Sequence, residues 1–295
     1  MRFYIVGPTA SGKSELAAEV AQRLGAEIVS SDAFQVYRGL DLLTAKPDAA
    51  TLARVPHHLI GEVALTETMN AAKFAARAAQ SINDITGRGR GVLVVGGTGL
   101  YVRALTHGLS PLPETDARLR GELEEVPLAE LVAKLRERDP QSAVDMKNRR
   151  RVVRALEISF TTGLPASAQR EQASVDESGG VFVFRDRAEL YARIDARVEQ
   201  MFAAGVVEEM RTAGEIGATA SQMLGLKEIR QFIAGEISRA ECIAKIQQAT
   251  RRYAKRQLTW FRRQTNFEPL NLSERSSSEA VEWIVAKARL SFAHD

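Results

Sequence analysis

Short apolar runs alternate with amphipathic stretches over the N-terminal part of the chain. The apolar runs have the length of buried parallel strands, and they occupy residues 3–6, 27–30 and 91–95. Between them, residues 14–24 and 71–85 carry apolar positions at helical spacing, and Gly25 ends the first of these two helices. This alternation predicts a parallel α/β sheet, whose ligands lie beyond the carboxyl ends of the strands.

The pattern changes at the proline-bearing loop SPLPETD. Residues 117–160 are charged and helical in spacing, without a strand pattern. After the breaks TTGLPAS and ESGG, an apolar strand returns at residues 181–184. We therefore predict an all-helical insertion at residues 113–179, set into a discontinuous α/β core of residues 1–112 and 180–295.

The C-terminal part of the chain again has helical spacing. Residues 187–264 are predicted as helices, and a polar loop then leads to a last amphipathic helix that begins near residues 276–278. The sequence has no internal repeat and no long low-complexity tract.

The composition is typical of an ordinary globular protein, with 45% hydrophobic and 26% charged residues. The single cysteine, Cys242, cannot form an internal disulfide, and we expect it as a small, half-buried apolar residue on a helix. No stretch resembles a secretory or membrane-spanning segment. We therefore expect a cytoplasmic protein with no membrane partner, and a monomer by default. The net charge of +3 does not by itself indicate a polyanionic partner.

A phosphate-binding loop follows the first predicted strand. GPTASGKS fits the pattern G-x-x-x-x-G-K-[ST] between a strand and a helix, which is the context that makes the pattern specific. In such a loop the backbone N–H groups and the helix N-terminus attract an anion, and Lys13 adds a positive charge. The hydroxyl of Ser14 is the expected ligand of a magnesium ion.

The acidic residue that an ATPase or GTPase uses to hold magnesium is missing from the expected strand end. Residues 91–95 lead into GGTG without a carboxylate, and Asp32 is the acid at a comparable position. Asp32 could cap the turn after its strand, but its place beside the loop favours a catalytic base or a role linked to the metal. A nucleotide kinase remains open at this point, because such enzymes often lack the second acidic motif.

Two basic runs stand out from the balanced total charge. NRRRVVRALEI lies in the predicted insertion, and TRRYAKRQLTWFRR has six basic residues and no acid. Either run alone indicates a solvated helix face, but together they favour binding to a nucleic-acid backbone. The aromatic residues Tyr253, Trp260 and Phe261 could stack on unpaired bases, and for Trp260 and Phe261 packing into the core is an equal alternative. The pair His57 and His58 lacks companions at metal-ligand spacing, so we expect a structural role for it.

In order along nearly its full length, the chain resembles the bacterial tRNA dimethylallyltransferases, or isopentenyl-tRNA transferases. The resemblance rests on GPTASGKS, SSDAFQVYRGLD, TAKP, VPHHLI, VVGGTGLY, GLSPLP, NRRRVVRALEI, LYARIDARVEQM, GLKEI and TRRYAKRQLTWFR. It implies a P-loop NTPase-like parallel sheet with an all-helical insertion. It also implies magnesium-dependent transfer of a dimethylallyl group from dimethylallyl diphosphate to N6 of the adenosine 3′ of the tRNA anticodon.

The resemblance also implies roles for individual residues. The diphosphate-binding loop is Gly7, Pro8, Thr9, Ala10, Ser11, Gly12, Lys13 and Ser14, with Thr9 near the transferred group. Asp32 accepts a proton from the attacking amine or hydrogen-bonds to it. Lys13 and Arg197 stabilise the leaving diphosphate, with Arg193 in support. The positions expected to contact tRNA are Asp32, Ala33, Phe34, Gln35, Thr98, Arg120, Arg150, Arg151, Val152, Val153, Arg154, Gln222 and Lys227.

Within the second basic run, helical spacing places Arg251, Arg252, Lys255 and Arg256 on one side, which Arg262 and Arg263 extend. Of these we expect Arg252, Lys255 and Arg256 to contact the RNA backbone. This helix and the insertion are together expected to clamp the anticodon stem-loop. The chain departs from the family pattern at Leu43, where glycine is usual, and at Leu226, where an aromatic residue is usual. Three alternatives are a small-molecule adenylate isopentenyltransferase, a P-loop kinase and a non-enzymatic RNA-binding module.

Overall fold

The computed structural model describes residues 1–110, 112–114, 116–169 and 178–294. Its strands are β1 Arg2–Val6, β2 Glu27–Ser30, β3 His57–His58, β4 Val92–Gly96, β5 Gly180–Phe184 and β6 Glu268–Asn271. Its helices are α1 Lys13–Leu24, α2 Ala49–Arg54, α3 Ala71–Gly87, α4 Gly99–Thr106, α5 Ala117–Glu125, α6 Leu128–Arg138, α7 Arg149–Thr162, α8 Arg187–Ala203, α9 Val206–Thr212, α10 Leu226–Ile233, α11 Arg239–Gln264 and α12 Ser277–His294.

The strands form one parallel sheet in the order β3–β2–β4–β1–β5–β6. In the two central strands, β1 and β4, successive side chains point to opposite faces of the sheet, and both faces are buried. Tyr4 and Val94 belong to the core on one face, and Ile5 and Leu93 to the core on the other. The predicted P-loop-type parallel α/β core is therefore confirmed.

Helices cover both faces of this sheet, as parallel connections require. The apolar sides of α1 and α12 build the core that contains Ile5. Residues of α3, α4, α8 and α11 contribute to the core that contains Tyr4. None of the helices in the described part of the chain is long and apolar enough to cross a membrane.

The elements that the pattern did not predict are short or lie at the edge of the sheet. β3 has two residues, too few for a periodicity. β6 is an edge strand that contains Pro269, and proline weakens a strand signal although an edge position tolerates it. α2 has six residues and begins at the capping side chain of Asp48. The predicted longer elements are all present, with ends that differ by one or two residues.

The chain divides into two compact units, Met1–Thr106 with Asp176–Asp295, and His107–Val175. The smaller unit contains α5, α6 and α7, whose leucine and valine side chains form their own core around Leu131, Leu135 and Leu156. The expected limits of the insertion at residues 113 and 179 stay a prediction. Three residues of the predicted breaks, Pro111, Thr115 and Glu177, lie outside the described residues.

Candidate functional site

The phosphate loop connects the end of β1 to the start of α1 in the predicted way. Gly12 caps α1 with a φ of 91°, a left-handed conformation that favours glycine. Gly7 lies so close to β5 that an added Cβ would be 2.3 Å from the carbonyl oxygen of Val183. Glycine is therefore required at the two positions for different reasons: at Gly12 by the backbone conformation, and at Gly7 by the lack of space for a side chain.

Lys13 brings its ammonium group into the loop, where Nζ donates a hydrogen bond to the carbonyl oxygen of Pro8 at 3.2 Å. Desolvation by burial lowers the pKa of Lys13 to about 8. The negative charge of Asp32 opposes this shift, and the positive charge of Arg197 adds to it. An anion bound at this loop would favour the charged form of Lys13.

Arg197 projects from α8 to the same place. Desolvation lowers its pKa as well, and the nearby carboxylate of Asp32 again opposes the shift. Among the described residues neither Lys13 nor Arg197 forms a direct ion pair with Asp32, although both interact with it through space. The three groups predicted to carry the chemistry are thus brought together at the carboxyl ends of β1 and β2.

Asp32 has a structural role in the turn that follows β2. Its Oδ1 accepts hydrogen bonds from the backbone N–H groups of Phe34 at 2.9 Å and Gln35 at 3.3 Å. This is the capping role that the sequence left open. Since Asp32 also acts electrostatically on Lys13 and Arg197, the cap fixes the carboxylate at the site, and its role as a base stays a prediction.

Thr98 holds the same turn from the glycine-rich segment after β4. Its Oγ1 accepts a hydrogen bond from the N–H of Ala33 at 3.0 Å, and Tyr253 of α11 lies close to its side chain. The side chain of Gln35 donates to the carbonyl oxygen of Ala45 at 3.0 Å. Residues that the sequence assigned to RNA contact therefore also build the framework of the site.

A pocket joins the loop to this turn. Its polar lining includes Lys13, Ser14, Ser30, Asp32, Gln35 and His57. The hydroxyl of Ser14 and the carboxylate of Asp32 lie in one pocket, and both are the hard oxygen donors that magnesium prefers. This donor set fits the expected magnesium ion.

Three further residues hold the loop and were not predicted in this role. Arg185 donates to the carbonyl oxygen of Ser11 at 2.8 Å, and Arg193 to that of Ala10 at 3.0 Å. Gln257 accepts a hydrogen bond from the N–H of Thr9 at 2.9 Å. Arg185 directly follows β5, so the rule that sites lie beyond strand ends could have found it. Gln257 is 248 residues from Thr9, and nothing local signals the contact.

Of the two histidines of β3, His57 lines the pocket. Nδ1 of His57 is 2.8 Å from the carbonyl oxygen of Val55, and Nε2 of His58 is 2.7 Å from Oε2 of the buried Glu27. Arg88 contacts the same carboxylate at 2.8 Å. His58 therefore has the structural role expected for it, as a partner of a buried acid.

In the helical unit, several arginines assigned to RNA contact have partners within the protein. Arg120 forms two hydrogen bonds of 2.7 Å with the buried Glu157, and Arg154 contacts the same carboxylate at 3.3 Å. The side chains of Val152 and Val153 are buried in the unit's core. Because these two valines are buried, they could contribute to RNA binding only by positioning α7. The RNA role of the two arginines and the two valines stays a prediction.

The outer face of α11 is different, because Arg252, Lys255 and Arg256 are exposed and form no ion pair among the described residues. Arg251 is paired with Asp195 at 2.7 Å. Phe261 is buried, which settles that its ring packs into the core.

The remaining predicted positions separate by burial. Arg150, Arg151, Gln222 and Lys227 are exposed. Leu226 is only 2% exposed and belongs to the core, so the departure from an aromatic residue is an internal packing change. Leu43 is also buried, and Glu209 accepts a hydrogen bond from its N–H at 3.0 Å.

A protein-family model described as IPP transferase matches residues 35–264 of the chain. Among its relatives, the chain is 47% identical over 265 residues to tRNA dimethylallyltransferase 1 of Citrifermentans bemidjiense, covering 86% of this chain and 87% of the relative. It is 42% identical over 284 residues to the tRNA dimethylallyltransferase of Akkermansia muciniphila, covering 95% and 97%.

Solved structures give the same picture. The chain is similar to the full-length tRNA isopentenylpyrophosphate transferase of Bacillus halodurans, with 35% identity and a TM-score of 0.72. The similarity covers 100% of this chain and 99% of that one, so the core and the helical unit are both included.

Proposed function

The chain belongs to the IPP transferase family, and from this premise we propose that it transfers a dimethylallyl group from dimethylallyl diphosphate to tRNA. The family expected from the motifs is thereby confirmed. The proposed acceptor atom is N6 of the adenosine immediately 3′ of the anticodon, and diphosphate is the leaving group.

The observation that carries the proposal is the grouping of Lys13, Arg197 and Asp32 around the phosphate loop. An exocyclic adenine amine is a weak nucleophile, whereas an allylic carbon tolerates positive charge as its C–O bond to diphosphate breaks. Catalysis therefore depends most on stabilising the departing anion, which two desolvated cations and the loop N–H groups are placed to do. Asp32 accepts the amine proton as the N–C bond forms.

Magnesium is the proposed cofactor, held by Ser14 together with oxygens of the donor. A bound magnesium ion supplies further neutralisation of the diphosphate charge. The contribution of the chain itself is the fixed position of Ser14 in the first turn of α1 and of Asp32 in the capped turn after β2.

For tRNA we propose an anticodon stem-loop as the bound element. The exposed cations of α11 suit its phosphate backbone, and an unpaired loop allows the target base to leave its stack and reach the pocket. In the helical unit, Arg150 and Arg151 are exposed and suited to the same role. The remaining parts of the proposal are that the enzyme acts as a monomer and in the cytoplasm, where its tRNA substrate is found.

The test is incubation of the protein with labelled dimethylallyl diphosphate and magnesium, with unmodified tRNA, AMP or ATP as the acceptor. We expect label in tRNA alone. Label in AMP would indicate an adenylate isopentenyltransferase, and hydrolysis of ATP without prenyl transfer would indicate a kinase-like or ATPase activity. Either result would contradict the proposal.

Asp32→Asn sharpens this test, because asparagine keeps an oxygen for the N–H groups of Phe34 and Gln35 but cannot take the proton. We expect transfer to fall by at least about 100-fold, in the range for loss of a general base, with tRNA binding retained. Asp48→Asn is the matched control, since Asp48 caps α2 in a similar way and does not itself line the pocket. Equal activity of the two variants would remove Asp32 from the chemistry.

A further inference from the structure

The buried side chain of Gln257 links two parts of the site that are far apart in sequence. Its Oε1 accepts the N–H of Thr9 in the phosphate loop at 2.9 Å, and its Nε2 donates to the carbonyl oxygen of Gly97 at 2.8 Å. The residue is only 5% exposed, so these are its partners in a water-poor environment, where an unpaired amide is costly.

The geometry around this amide is tight on the side of the glycine-rich turn. A Cβ added to Gly97 would lie 2.4 Å from Nε2 of Gln257 and 2.8 Å from the carbonyl oxygen of Gly7. Only a glycine at position 97 lets the amide reach between the two loops. The close approach of the Gln257 amide therefore explains why position 97 is glycine, which phosphate binding alone does not require.

Gln257 is the central member of a row on the inner face of α11. One turn before it, the partly buried phenol of Tyr253 lies beside Thr98, and desolvation raises its pKa. One turn after it, Trp260 packs against the next glycine, where a Cβ on Gly99 would lie 2.4 Å from the indole ring. The spacing of four and three residues places all three side chains on one face of the helix.

An adjacent, exposed side of α11 carries Arg252, Lys255 and Arg256, the cations assigned above to RNA, and the guanidinium of Arg256 lies 5.6 Å from the ring of Tyr253. The same helix thus presents cations to solvent and supports the two glycine-rich turns from within. Gln257 is the residue of this row that hydrogen-bonds to the phosphate loop itself.

We infer that Gln257 is a positioning residue, which sets the phosphate loop at Thr9 and ties the donor site to the proposed RNA-binding helix. The inference rests on the proposed function for its catalytic consequence. Because the amide of Gln257 accepts the hydrogen bond from the N–H of Thr9, this N–H points to α11 and away from a ligand in the loop. The N–H of Gly7 is engaged in the same way, since it donates to the carbonyl oxygen of Gly96 at 3.1 Å.

Gln257→Met is the first test, because methionine has a similar length and no hydrogen-bonding amide. We expect kcat/KM for dimethylallyl diphosphate to fall roughly 10- to 100-fold, as expected when a reacting group is misplaced slightly. The affinity for tRNA should stay within about twofold, because the exposed cations are unchanged. Gln247→Met is the matched control: Gln247 lies on α11, donates to a backbone carbonyl of Asp195 at 3.3 Å and does not touch the loop.

Two readouts do not depend on prenyl transfer. Hydrogen exchange of a peptide spanning residues 7–14 should become faster in Gln257→Met and not in Gln247→Met, and the Kd for inorganic pyrophosphate should rise. A wild-type protein that transfers no prenyl group would refute the proposed function, while these readouts would still test Gln257. Unchanged loop exchange, unchanged pyrophosphate affinity, or an equal loss in Gln247→Met would overturn the inference.

Gln257→Glu is the second variant, and it tests the inference even if Gln257→Met does not fold. A protonated glutamic acid reproduces the amide, because one oxygen accepts the N–H of Thr9 and the other donates O–H to the carbonyl of Gly97. Its kcat/KM relative to wild type should rise towards one as the pH falls. A Gln257→Glu protein with a 10-fold or greater loss that stays constant over the whole pH range would contradict the inference.

Discussion

Two helices carry runs of arginine that look alike in sequence, and their charges have different surroundings. In α7, Arg154 contacts the buried Glu157 and the carbonyl oxygen of Pro113 at 2.6 Å. Arg149 donates to the carbonyl oxygen of Val126 at 2.7 Å, beyond the end of α5. Much of the charge of the first run is therefore used to hold the helical unit together.

In α11 the ion pairing seen in the described part of the chain is confined to the start of the run. Arg251 forms an ion pair with Asp195 of α8, and the cations that follow at 252, 255 and 256 project outwards. The run itself contains no acid from Thr250 to Arg263. The charge of the second run is thus directed to solvent and is open to a polyanion.

The difference shows that a count of cations does not predict which of them can bind RNA. What decides is whether a buried acid is within reach, and in α7 that acid is Glu157, which has a side chain only 1% exposed. A buried carboxylate must be neutralised by partners. Arg120 and Arg154 meet that requirement before any ligand does.

The strongest expected effect comes from Lys13, a cation outside both runs. A large loss of rate with tRNA affinity retained would separate the chemistry of the loop from RNA binding by the runs. Lys13→Met should lower kcat by about 1,000-fold, the scale seen when a group that stabilises developing negative charge is removed. Single-turnover transfer measures this, and tRNA affinity should stay within about twofold. Lys134→Met, at an exposed position of α6, is the control. A Lys13→Met protein within 10-fold of wild type would place the leaving-group charge elsewhere.

The second prediction tests whether the charge of α7 is committed to the fold. Glu157→Gln leaves Arg120 and Arg154 without their anionic partner, and we expect the helical unit to lose about 2–3 kcal/mol, less than for a fully buried pair because the arginines are partly exposed. Hydrogen exchange of α5 and α7 measures this loss. Glu122→Gln breaks an exposed pair with Arg118 and should cost under about 1 kcal/mol. Equal losses would erase the contrast drawn between the two runs.

The third prediction uses the pKa of Lys13, which desolvation lowers from 10.5 to about 8. In the free enzyme the ammonium loses its proton as the pH rises through 8, so kcat/KM for the donor should be about 10-fold lower at pH 9 than on its plateau. Bound diphosphate favours the charged form, so the decline of kcat should lie at higher pH. The effect on stability has the opposite sign: between pH 8 and 10.5 the unfolded chain binds more protons, and stability rises with pH.

Lys13→Arg checks this assignment, because a guanidinium stays charged over the whole range. We expect a lower kcat/KM for Lys13→Arg than for the wild type, but the decline of kcat/KM near pH 8 should disappear. A decline that persists in Lys13→Arg would have to come from another group.

Much of the fold was predictable because its main elements are long or strongly periodic. The strands of residues 3–6 and 91–95 and the loop between β1 and α1 were all found from local pattern. The edge strand β6 was missed because its pairing with β5 depends on distant residues, and Pro269 opposes the local signal.

The site was predictable to the extent that its residues follow strand ends or carry a family motif. Lys13, Asp32 and Arg197 fall in this group. Gln257 could not be found in this way, and in the helical unit neither could Glu157, because each has a role only through partners that folding brings close. Local sequence patterns carry no information about contacts between residues that are far apart in the chain.

The smallest expected effect is also the closest test of the comparison, because it contrasts neighbouring residues of α11. Arg252→Gln should weaken tRNA binding a few-fold and reduce the slope of log K against log salt by about 0.7 to 0.9, the value for one phosphate contact. Arg251→Gln removes the same charge one residue earlier, but that charge is paired with Asp195, so the salt slope should barely change. Binding titrations at several salt concentrations measure both. If the two variants lose equal slope, an ion pair within the protein does not withhold an arginine from RNA, and the distinction between α7 and α11 fails with it.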